Sequence, residues 1–211
     1  MDLNKLLTEG AELLGVRLST GQAGAFDAYL SELLKWNKKV NLTAIVDGRE
    51  VVVKHFLDSL ALCRMLPVGP FRAADIGSGA GFPGLALKIA RPDMEITFVE
   101  PAHKKVTFIK HIARLLGLTG VSAERARAED LRTKCSGQFE VIFSRAFKEP
   151  DGLLPLAGPL MSVGGMVVLS LGPETSPDAP PGWEVSRKED ITLPLSDFKR
   201  VLISYKKHGE G

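Results

Sequence analysis

Apolar residues recur at helical spacing along the first 70 residues of the chain. Three stripes have members three or four positions apart: Leu3, Leu6, Leu7, Ala11 and Leu14; Phe26, Leu30, Leu33 and Leu34; and Val52, Phe56, Leu60 and Cys63. Such spacing places each stripe on one face of an amphipathic helix. The pattern predicts three helices whose stripes serve helix-to-helix packing rather than ligand binding.

From Pro70 onward, short apolar strands alternate with helices. Strands are predicted at 71–76, 94–99, 121–125, 139–143 and 165–169, and helices at 83–90 and 103–116. Pro92 and Gly117 follow the two helices and end them. This alternation is typical of a parallel sheet with helices on both faces, whose ligand lies beyond the carboxyl ends of the strands.

The last part of the chain departs from this alternation. Four prolines between Gly172 and Gly182 indicate a loop. Strands are then predicted at 183–193 and 198–205, forming an antiparallel hairpin at the sheet edge. The expected fold class is α/β and Rossmann-like, with a mostly parallel seven-stranded sheet, a C-terminal antiparallel hairpin and an N-terminal helical appendage. We expect the appendage to span 1–69 and one compact domain to span 70–211.

The loop between the first predicted strand and its helix is the main candidate for ligand binding. It runs from Asp75 to Gly84 and contains Gly77, Gly79 and Gly81, followed by Phe82 and Pro83. Glycine tolerates positive φ and lets a ligand lie against the backbone. We expect Pro83 to be the first residue of the helix, whose free N–H groups would favour an anionic group such as a carboxylate.

Two acids narrow the choice of ligand. The glycine spacing excludes a P-loop and departs from the dinucleotide pattern G-x-G-x-x-G. The Asp75 carboxylate would repel a pyrophosphate and suits an ammonium or sulfonium group. Glu100 closes the next strand, where an acid can accept both hydroxyls of a ribose. Acid, glycine loop and second acid, together with the closing hairpin, resemble S-adenosylmethionine-dependent methyltransferases.

Composition is compatible with such an enzyme. The 211 residues are 45% hydrophobic and 25% charged, as in ordinary globular domains, and no apolar run is long enough to cross a membrane. The start of the chain lacks a signal-peptide pattern, so we expect a cytoplasmic protein. The net charge of +2 requires any nucleic acid to be met by a local basic patch. Cys63 and Cys135 lack metal-ligand spacing, so no metal is expected.

The end of the fourth strand bears on the methyl acceptor. It reads Ser144-Arg145-Ala146-Phe147, not the Asn/Asp-Pro-Pro-Tyr-like tetrad typical of methylation at exocyclic amines. Methylation at carbon 5 of a pyrimidine needs a cysteine nucleophile, and neither cysteine is well placed for it. A ring nitrogen such as guanine N7 has a free lone pair and requires no general base. A small-molecule acceptor and a non-catalytic cofactor-binding module stay open as alternatives.

Several motifs together resemble one family. They are Trp36–Thr43, His55–Ser59, the glycine loop, Arg127-Ala128-Glu129 and Ser144–Phe147. They are similar to motifs of the bacterial glucose-inhibited division protein B family, methyltransferases of guanine N7 in small-subunit (16S) ribosomal RNA. The resemblance extends from about Trp36 to Lys206. It implies that the partner is this RNA or the small ribosomal subunit, and we expect a monomer.

The resemblance also implies the site residues. The cofactor pocket would comprise the loop residues Gly77, Gly79, Gly81 and Phe82, the pair Ala128 and Glu129, and Arg145, with Asp75 and Glu100 as supporting acids. Arg145, Arg127 and Arg200 would position the acceptor. Family members often have a lysine before the glycine that ends the fifth strand, and Leu171 stands there in this chain.

Some of these side chains have structural alternatives. Arg145 could form a surface ion pair with Glu149, and its functional role could be to bind the methionine carboxylate or to fix the acceptor. Arg127 could be the solvated start of a helix. Asn41 and His55 are of types that more often serve as a turn residue and as a packing partner.

Overall fold

The N-terminal part of the molecule is helical. The computed structural model describes residues 2–131, 135–145, 150–175 and 178–208. The helical part comprises α1 (Leu3–Leu13), α2 (Thr20–Asn37) and a continuous run of α3 (Gly48–Val51), a π-helical segment (Val52–Leu57), α4 (Asp58–Ala61) and a 3-10 turn (Leu62–Met65). The three predicted helices are confirmed. Within the described ranges, no helix is both long and apolar enough to cross a membrane.

Seven strands form one sheet. They are β1 (Arg72–Ile76), β2 (Glu95–Val99), β3 (Val121–Glu124), β4 (Phe139–Ser144), β5 (Met161–Leu171), β6 (Trp183–Thr192) and β7 (Lys199–Lys207). Their order is β3-β2-β1-β4-β5-β7-β6. The first five strands in this order are parallel, and β7 is antiparallel to both of its neighbours. The predicted fold class is confirmed.

Helices connect the strands, with two differences from the prediction. They are α5 (Gly84–Ala90), α6 (His103–Leu115) and α7 (Pro150–Ala157), with 3-10 turns at Ala128–Leu131 and Gly158–Leu160. The prediction that Pro83 is the first helical residue was wrong, because Pro83 occupies the N-cap and the helix begins one residue later. The prediction did not include α7, which contains Pro155.

The two faces of the sheet pack against different helices. One face contributes residues such as Ala73, Phe98 and Phe143 to a core shared with α1, α2, the helical run from 48 to 65, α5 and α6. The other face, which includes Ala74 and Ile142, packs against α7 and the 3-10 turns. The helices before residue 70 therefore share a core with the sheet. The division at residue 69/70 stays a prediction.

Helix α2 supports the first strand–helix unit directly. Ser19 and Gln22 form a capping box at its start, and the Gln22 amide also donates to the carbonyls of Ile89 and Ala90 at the end of α5. Helix α2 thus supplies a hydrogen-bond donor for carbonyls that the end of α5 leaves unpaired. Further along α2, the buried Tyr29 hydroxyl donates to the Ala80 carbonyl of the glycine loop at 2.7 Å. The N-terminal helices therefore help to hold the loop in place.

Candidate active site

The carboxyl ends of β1, β2 and β4 meet at one edge of the sheet, beside a cavity of about 390 Å³. This volume lies within the range of small-molecule sites in proteins. One side, here called the loop wall, consists of Gly77, Ser78, Gly79, Ala80, Glu100, Pro101 and Lys105. The other side, here called the helical wall, consists of Leu42, Thr43, His55, Phe82 and Arg145.

A second cavity, of about 410 Å³, lies at the opposite edge of the sheet. Its lining includes Arg72, Glu95 and Gln138, and none of the predicted site residues contributes to it. Ligands of open α/β sheets bind beyond the carboxyl ends of the strands, not the amino ends. The cavity between the loop wall and the helical wall is therefore the candidate active site.

The glycine loop folds back on the end of β2. Gly77, Gly79 and Gly81 have φ values of 72°, 57° and 95°, as the sequence predicts. The Gly77 N–H donates to the Val99 carbonyl at 2.8 Å. A Cβ atom added to Gly79 would have no neighbour within 4 Å, so the backbone there borders open space. A ligand in the cavity can approach the main chain closely at this residue.

Glu100 lines the cavity but already has backbone partners. Its Oε2 accepts from the Gly79 N–H at 2.9 Å, and its Oε1 accepts from the Ala102 N–H at 2.9 Å. Each carboxylate oxygen has a further lone pair available for a ligand. Glu100 therefore fixes the loop to the end of β2 and has lone pairs left for hydroxyl groups, and its role in ribose binding stays a prediction.

Asp75 does not line the cavity, contrary to the expectation that it faces a cationic ligand. It is fully buried, and its Oδ2 accepts from the Gly84 N–H at 2.9 Å. Burial raises the pKa of Asp75 to about 7. The start of α5 is thus occupied by a carboxylate of the protein itself, which also corrects the expectation that a ligand anion binds there. Gly81 likewise lies outside the cavity lining.

Arg145 follows β4 and reaches across to the helical segment. Its Nη2 donates to His55 Nδ1 at 3.1 Å and to the Lys54 carbonyl at 3.3 Å. Its Nη1 is buried and has no hydrogen-bond partner among the described residues. A buried donor without an acceptor carries a desolvation cost that a bound acceptor removes. Arg145, which lines the cavity, is therefore the candidate for binding an oxygen-rich ligand. The alternative partner, Glu149, lies outside the described residues.

His55 is a cavity residue rather than only a packing partner. Its ring stacks on Phe82 with centroids 4.4 Å apart, and its Nε2 lies 2.9 Å from Thr43 Oγ1. Burial, and secondly the positive charge of Arg145, lower the pKa of His55 to about 3. The imidazole is therefore neutral at physiological pH. It belongs to the π-helical segment, a conformation found often at functional sites.

A buried carboxylate joins two of the predicted arginines. Asp58 Oδ2 accepts from Arg200 Nε at 3.2 Å and lies 3.8 Å from Arg145 Nη2, while Oδ1 accepts from the Ser170 hydroxyl at 2.6 Å. The Asp58 side chain is only 3% exposed. The structure therefore brings Arg145 and Arg200 together through a residue of α4.

The remaining predicted residues lie away from the cavity lining. Arg127 is exposed, and Ala128 is buried at the start of the 3-10 turn that follows β3, with Glu129 exposed beside it. Leu171 is buried at the end of β5. Ala146 and Phe147 of the fourth-strand motif lie outside the described residues. Of the three predicted arginines, Arg127 is separate from the cluster of the other two.

Sequence reasoning gave no functional role to Thr43, His55 or Asp58. All three fall within motifs that carried the family resemblance. His55 and Asp58 are three positions apart, which places them on one side of a helix. Two polar residues on the same helix face indicate that this face contacts other polar groups. No local pattern indicates their partners, because Arg145 and Arg200 are distant in sequence.

Neither cysteine lies in the cavity lining. Burial raises the pKa of Cys63 to about 12, so its thiol is protonated at neutral pH and is a poor nucleophile. Across the described ranges, no group of three or more histidine, cysteine or acidic side chains is arranged to hold a metal ion. The cavity is lined by the hydrogen-bonding groups of the two walls.

Comparison with known proteins agrees with this geometry. The model of one protein family, described as rRNA small subunit methyltransferase G (GidB), matches residues 22–178. The chain belongs to this family. A member from Geobacter metallireducens, the ribosomal RNA small subunit methyltransferase G, is 40% identical over 206 residues, which cover 94% of this chain and 93% of the relative. The family predicted from the sequence is confirmed.

Solved structures with low sequence identity show the same fold. The YcgJ protein from Bacillus subtilis superposes with a TM-score of 0.54 at 16% identity, covering 72% of this chain and 99% of that one. A ribosomal protein L11 methylase from Lactobacillus delbrueckii has a TM-score of 0.50 at 17% identity, covering 72% and 76%. At the level of the family, the expectation of an S-adenosylmethionine-dependent methyltransferase of small-subunit ribosomal RNA is confirmed.

Proposed function

We propose that this protein transfers a methyl group from S-adenosylmethionine to N7 of a guanosine in small-subunit (16S) ribosomal RNA. The observation that carries the proposal is the cavity at the carboxyl ends of β1, β2 and β4, bounded by the glycine loop, Glu100 and Arg145. Membership of the rRNA small subunit methyltransferase G family supports both the reaction and the class of substrate.

The residues of the cavity fit this cofactor. The open space above Gly79 and the free lone pairs of Glu100 suit a nucleoside, with Glu100 accepting the ribose hydroxyls. The unpartnered Arg145 Nη1 suits a carboxylate. Gly77 and Phe82 contribute the adjoining surface. Asp75 and Gly81 act indirectly, by holding the loop in shape at the start of α5.

We assign Ala128 and Glu129 to a part of the cofactor that extends past the cavity lining towards β3. They lie in the turn after β3, and β3 is the neighbour of the strand that precedes Glu100. Ala128 is buried and Glu129 is exposed. This position suits the end of the cofactor farthest from Arg145, which follows β4 on the other side of β1.

The acceptor requires no proton transfer from the enzyme. S-adenosylmethionine supplies a methyl group on a sulfonium centre, and guanine N7 has a free lone pair, so no general base is needed. The titratable groups of the cavity agree with this. His55 is neutral, and its Nδ1 already accepts from Arg145. The contribution of the protein is to hold donor and acceptor in line, which is worth several kcal/mol or more.

The RNA is met by basic side chains around the cavity. Arg200 and Arg145 lie together on Asp58, and Lys105 lines the loop wall. Arg127 is exposed beyond β3 and contacts phosphates on that side. Each phosphate contact makes binding weaker at higher salt, because counterions are released. The protein acts as a cytoplasmic monomer without a bound metal.

The experiment is a methyl-transfer assay with radiolabelled S-adenosylmethionine. Small ribosomal subunits and naked 16S RNA, both from a strain that lacks the activity, serve as acceptors, and the labelled nucleoside is identified by chromatography. We expect label in 7-methylguanosine. Cofactor binding without transfer to either acceptor would indicate a binding module, and label only in small molecules would indicate a different substrate class.

A further inference from the structure

The Thr43 hydroxyl takes part in two hydrogen bonds within the protein. Its Oγ1 accepts from the Ile45 N–H at 3.1 Å and lies 2.9 Å from Nε2 of His55. A threonine hydroxyl has two acceptor lone pairs and one proton to donate. The direction of the bond to His55 therefore decides whether that proton is used within the protein or is free for a ligand.

The surroundings of His55 settle this direction. Arg145 Nη2 lies 3.1 Å from His55 Nδ1 and can only donate, so Nδ1 must accept and carries no proton. The imidazole is neutral, because burial and the charge of Arg145 disfavour its protonated form. Its single proton is then on Nε2, which donates to Thr43 Oγ1.

The Thr43 hydroxyl proton is left without an acceptor among the described residues. Both lone pairs of Oγ1 are used, by Ile45 and His55, and Thr43 lines the cavity. Arg145 Nη1 is the second unpaired donor at this wall. The helical wall thus presents the Thr43 hydroxyl as a hydrogen-bond donor to an occupant of the cavity, and the chain Arg145–His55–Thr43 fixes its orientation.

We propose that Thr43 determines base specificity by donating its hydroxyl proton to O6 of the target guanine. This inference rests on the proposed function, which assigns the loop wall, together with Phe82 and Arg145, to the cofactor and so leaves Thr43 and His55 for the acceptor. In guanine the atom beside N7 on the same edge is an acceptor, O6, whereas in adenine the corresponding group is a donor. A donor fixed at Thr43 pairs with guanine and opposes adenine.

A neutral donor suits this reaction better than a charged one. Methylation at N7 makes the purine cationic, so a guanidinium held against its edge would oppose the change. The Thr43 hydroxyl carries no charge, and its orientation is set by its hydrogen bond to His55. The hydrogen bond to O6 forms when the RNA binds and is kept in the transition state. It therefore acts mainly on RNA binding and on the choice of base.

The test is a double-mutant cycle between enzyme and RNA. Small subunits are assembled from ligated RNA with either guanosine or 2-aminopurine riboside, which lacks O6, at the methylated position. With the wild type, loss of O6 lowers kcat/KM about tenfold, the value of one hydrogen bond between neutral groups. With Thr43→Val the guanosine rate is already lower by about this factor, and loss of O6 has no further effect. Thr43→Ser retains the hydroxyl and behaves as the wild type does.

The design separates the possible failures. Valine also deprives Ile45 and His55 of an acceptor, so a purely structural role would lower both rates equally and leave the cost of removing O6 unchanged, which would overturn the inference. A weaker affinity of Thr43→Val for S-adenosylhomocysteine, with an unchanged O6 effect, would assign the hydroxyl to the cofactor and also overturn it. No transfer by the wild type to guanosine N7 would overturn the proposed function itself.

Discussion

The two walls of the cavity are built from different material. The loop wall presents backbone, and its acids are committed to backbone N–H groups: Glu100 to Gly79 and Ala102, and Asp75 below it to Gly84. The helical wall presents side chains joined in a network, from Thr43 through His55 to Arg145. A backbone surface fits a constant ligand, whereas a side-chain surface sets which partner is accepted. This division suits a cofactor that lies on the loop wall and reaches Arg145, and a substrate that approaches Thr43.

The largest loss of stability is expected where the hydrogen-bond network of the helical wall meets a buried carboxylate. Asp58→Ala leaves Arg145 and Arg200 without their shared carboxylate and should lower the free energy of unfolding by about 3 kcal/mol. Urea unfolding measures it. The control is Asp93→Ala, which breaks a partly exposed pair with Arg91 and should cost less than about 1 kcal/mol. Equal losses in the two variants would show that the Asp58 cluster is an ordinary surface pair.

The second largest effect is expected when an arginine of the helical wall keeps its charge but loses the geometry of its guanidinium group. Arg145→Lys keeps the charge but cannot bond His55 and Lys54 through one nitrogen while offering another to a ligand. Methyl transfer, measured as kcat/KM, should fall about 100-fold, the upper value for a charged hydrogen bond. Arg72→Lys, at the opposite edge of the sheet, is the matched control and should retain activity. Full activity of Arg145→Lys would mean that charge alone matters at the helical wall.

Two buried groups next to the cavity should also respond to pH in opposite directions. Asp75 has a raised pKa of about 7 against 3.8, so the folded state binds more protons and its contribution to stability falls as pH rises. His55 has a lowered pKa of about 3 against 6.5, so the unfolded state binds more protons and its contribution rises with pH. Each slope is at most about 1.4 kcal/mol per pH unit.

In the wild type, the two pH slopes of stability have opposite signs between pH 3.8 and 6.5 and partly cancel. Single variants therefore reveal each slope. Relative to the wild type, Asp75→Asn should gain stability as pH rises through this window, and His55→Gln should lose it. Chemical denaturation at several pH values provides the measurement. Parallel curves for the three proteins would remove burial as the origin of either pKa shift.

The smallest effect is expected at the glycine loop. Gly79→Ala places a side chain at φ 57° and should cost about 1 kcal/mol of stability. Gly69→Ala is the matched control, because Gly69 has φ 83° and equally open surroundings but lies outside the cavity. Both should lower the melting temperature, and only Gly79→Ala should weaken S-adenosylhomocysteine binding in calorimetry. Weaker binding in both variants would mean that strain, not the loop surface, affects the cofactor.

The parts of the fold that the sequence predicted are those with a local signal. The strands at 71–76 and 139–143 are short apolar runs, and α6 has helical periodicity and a terminal glycine. Helix α7 has the opposite local signal, because Gly152 and Pro155 disfavour a helix. Burial of Leu153 and Leu154 against the sheet outweighs this preference. Tertiary packing can override propensity, and a pattern-based prediction then misses the element.

Taken alone, the sequence determined the order of the strands, the glycine loop and the family, since each depends on motifs whose residues are close together in the chain. The tertiary structure decided which polar atoms meet. His55 and Arg145 are 90 positions apart, and Asp58 and Arg200 are 142 apart, so their contacts exist only after the helices dock on the sheet. It also decided the role of Asp75, because burial below the loop depends on the packing of α5 rather than on the motif.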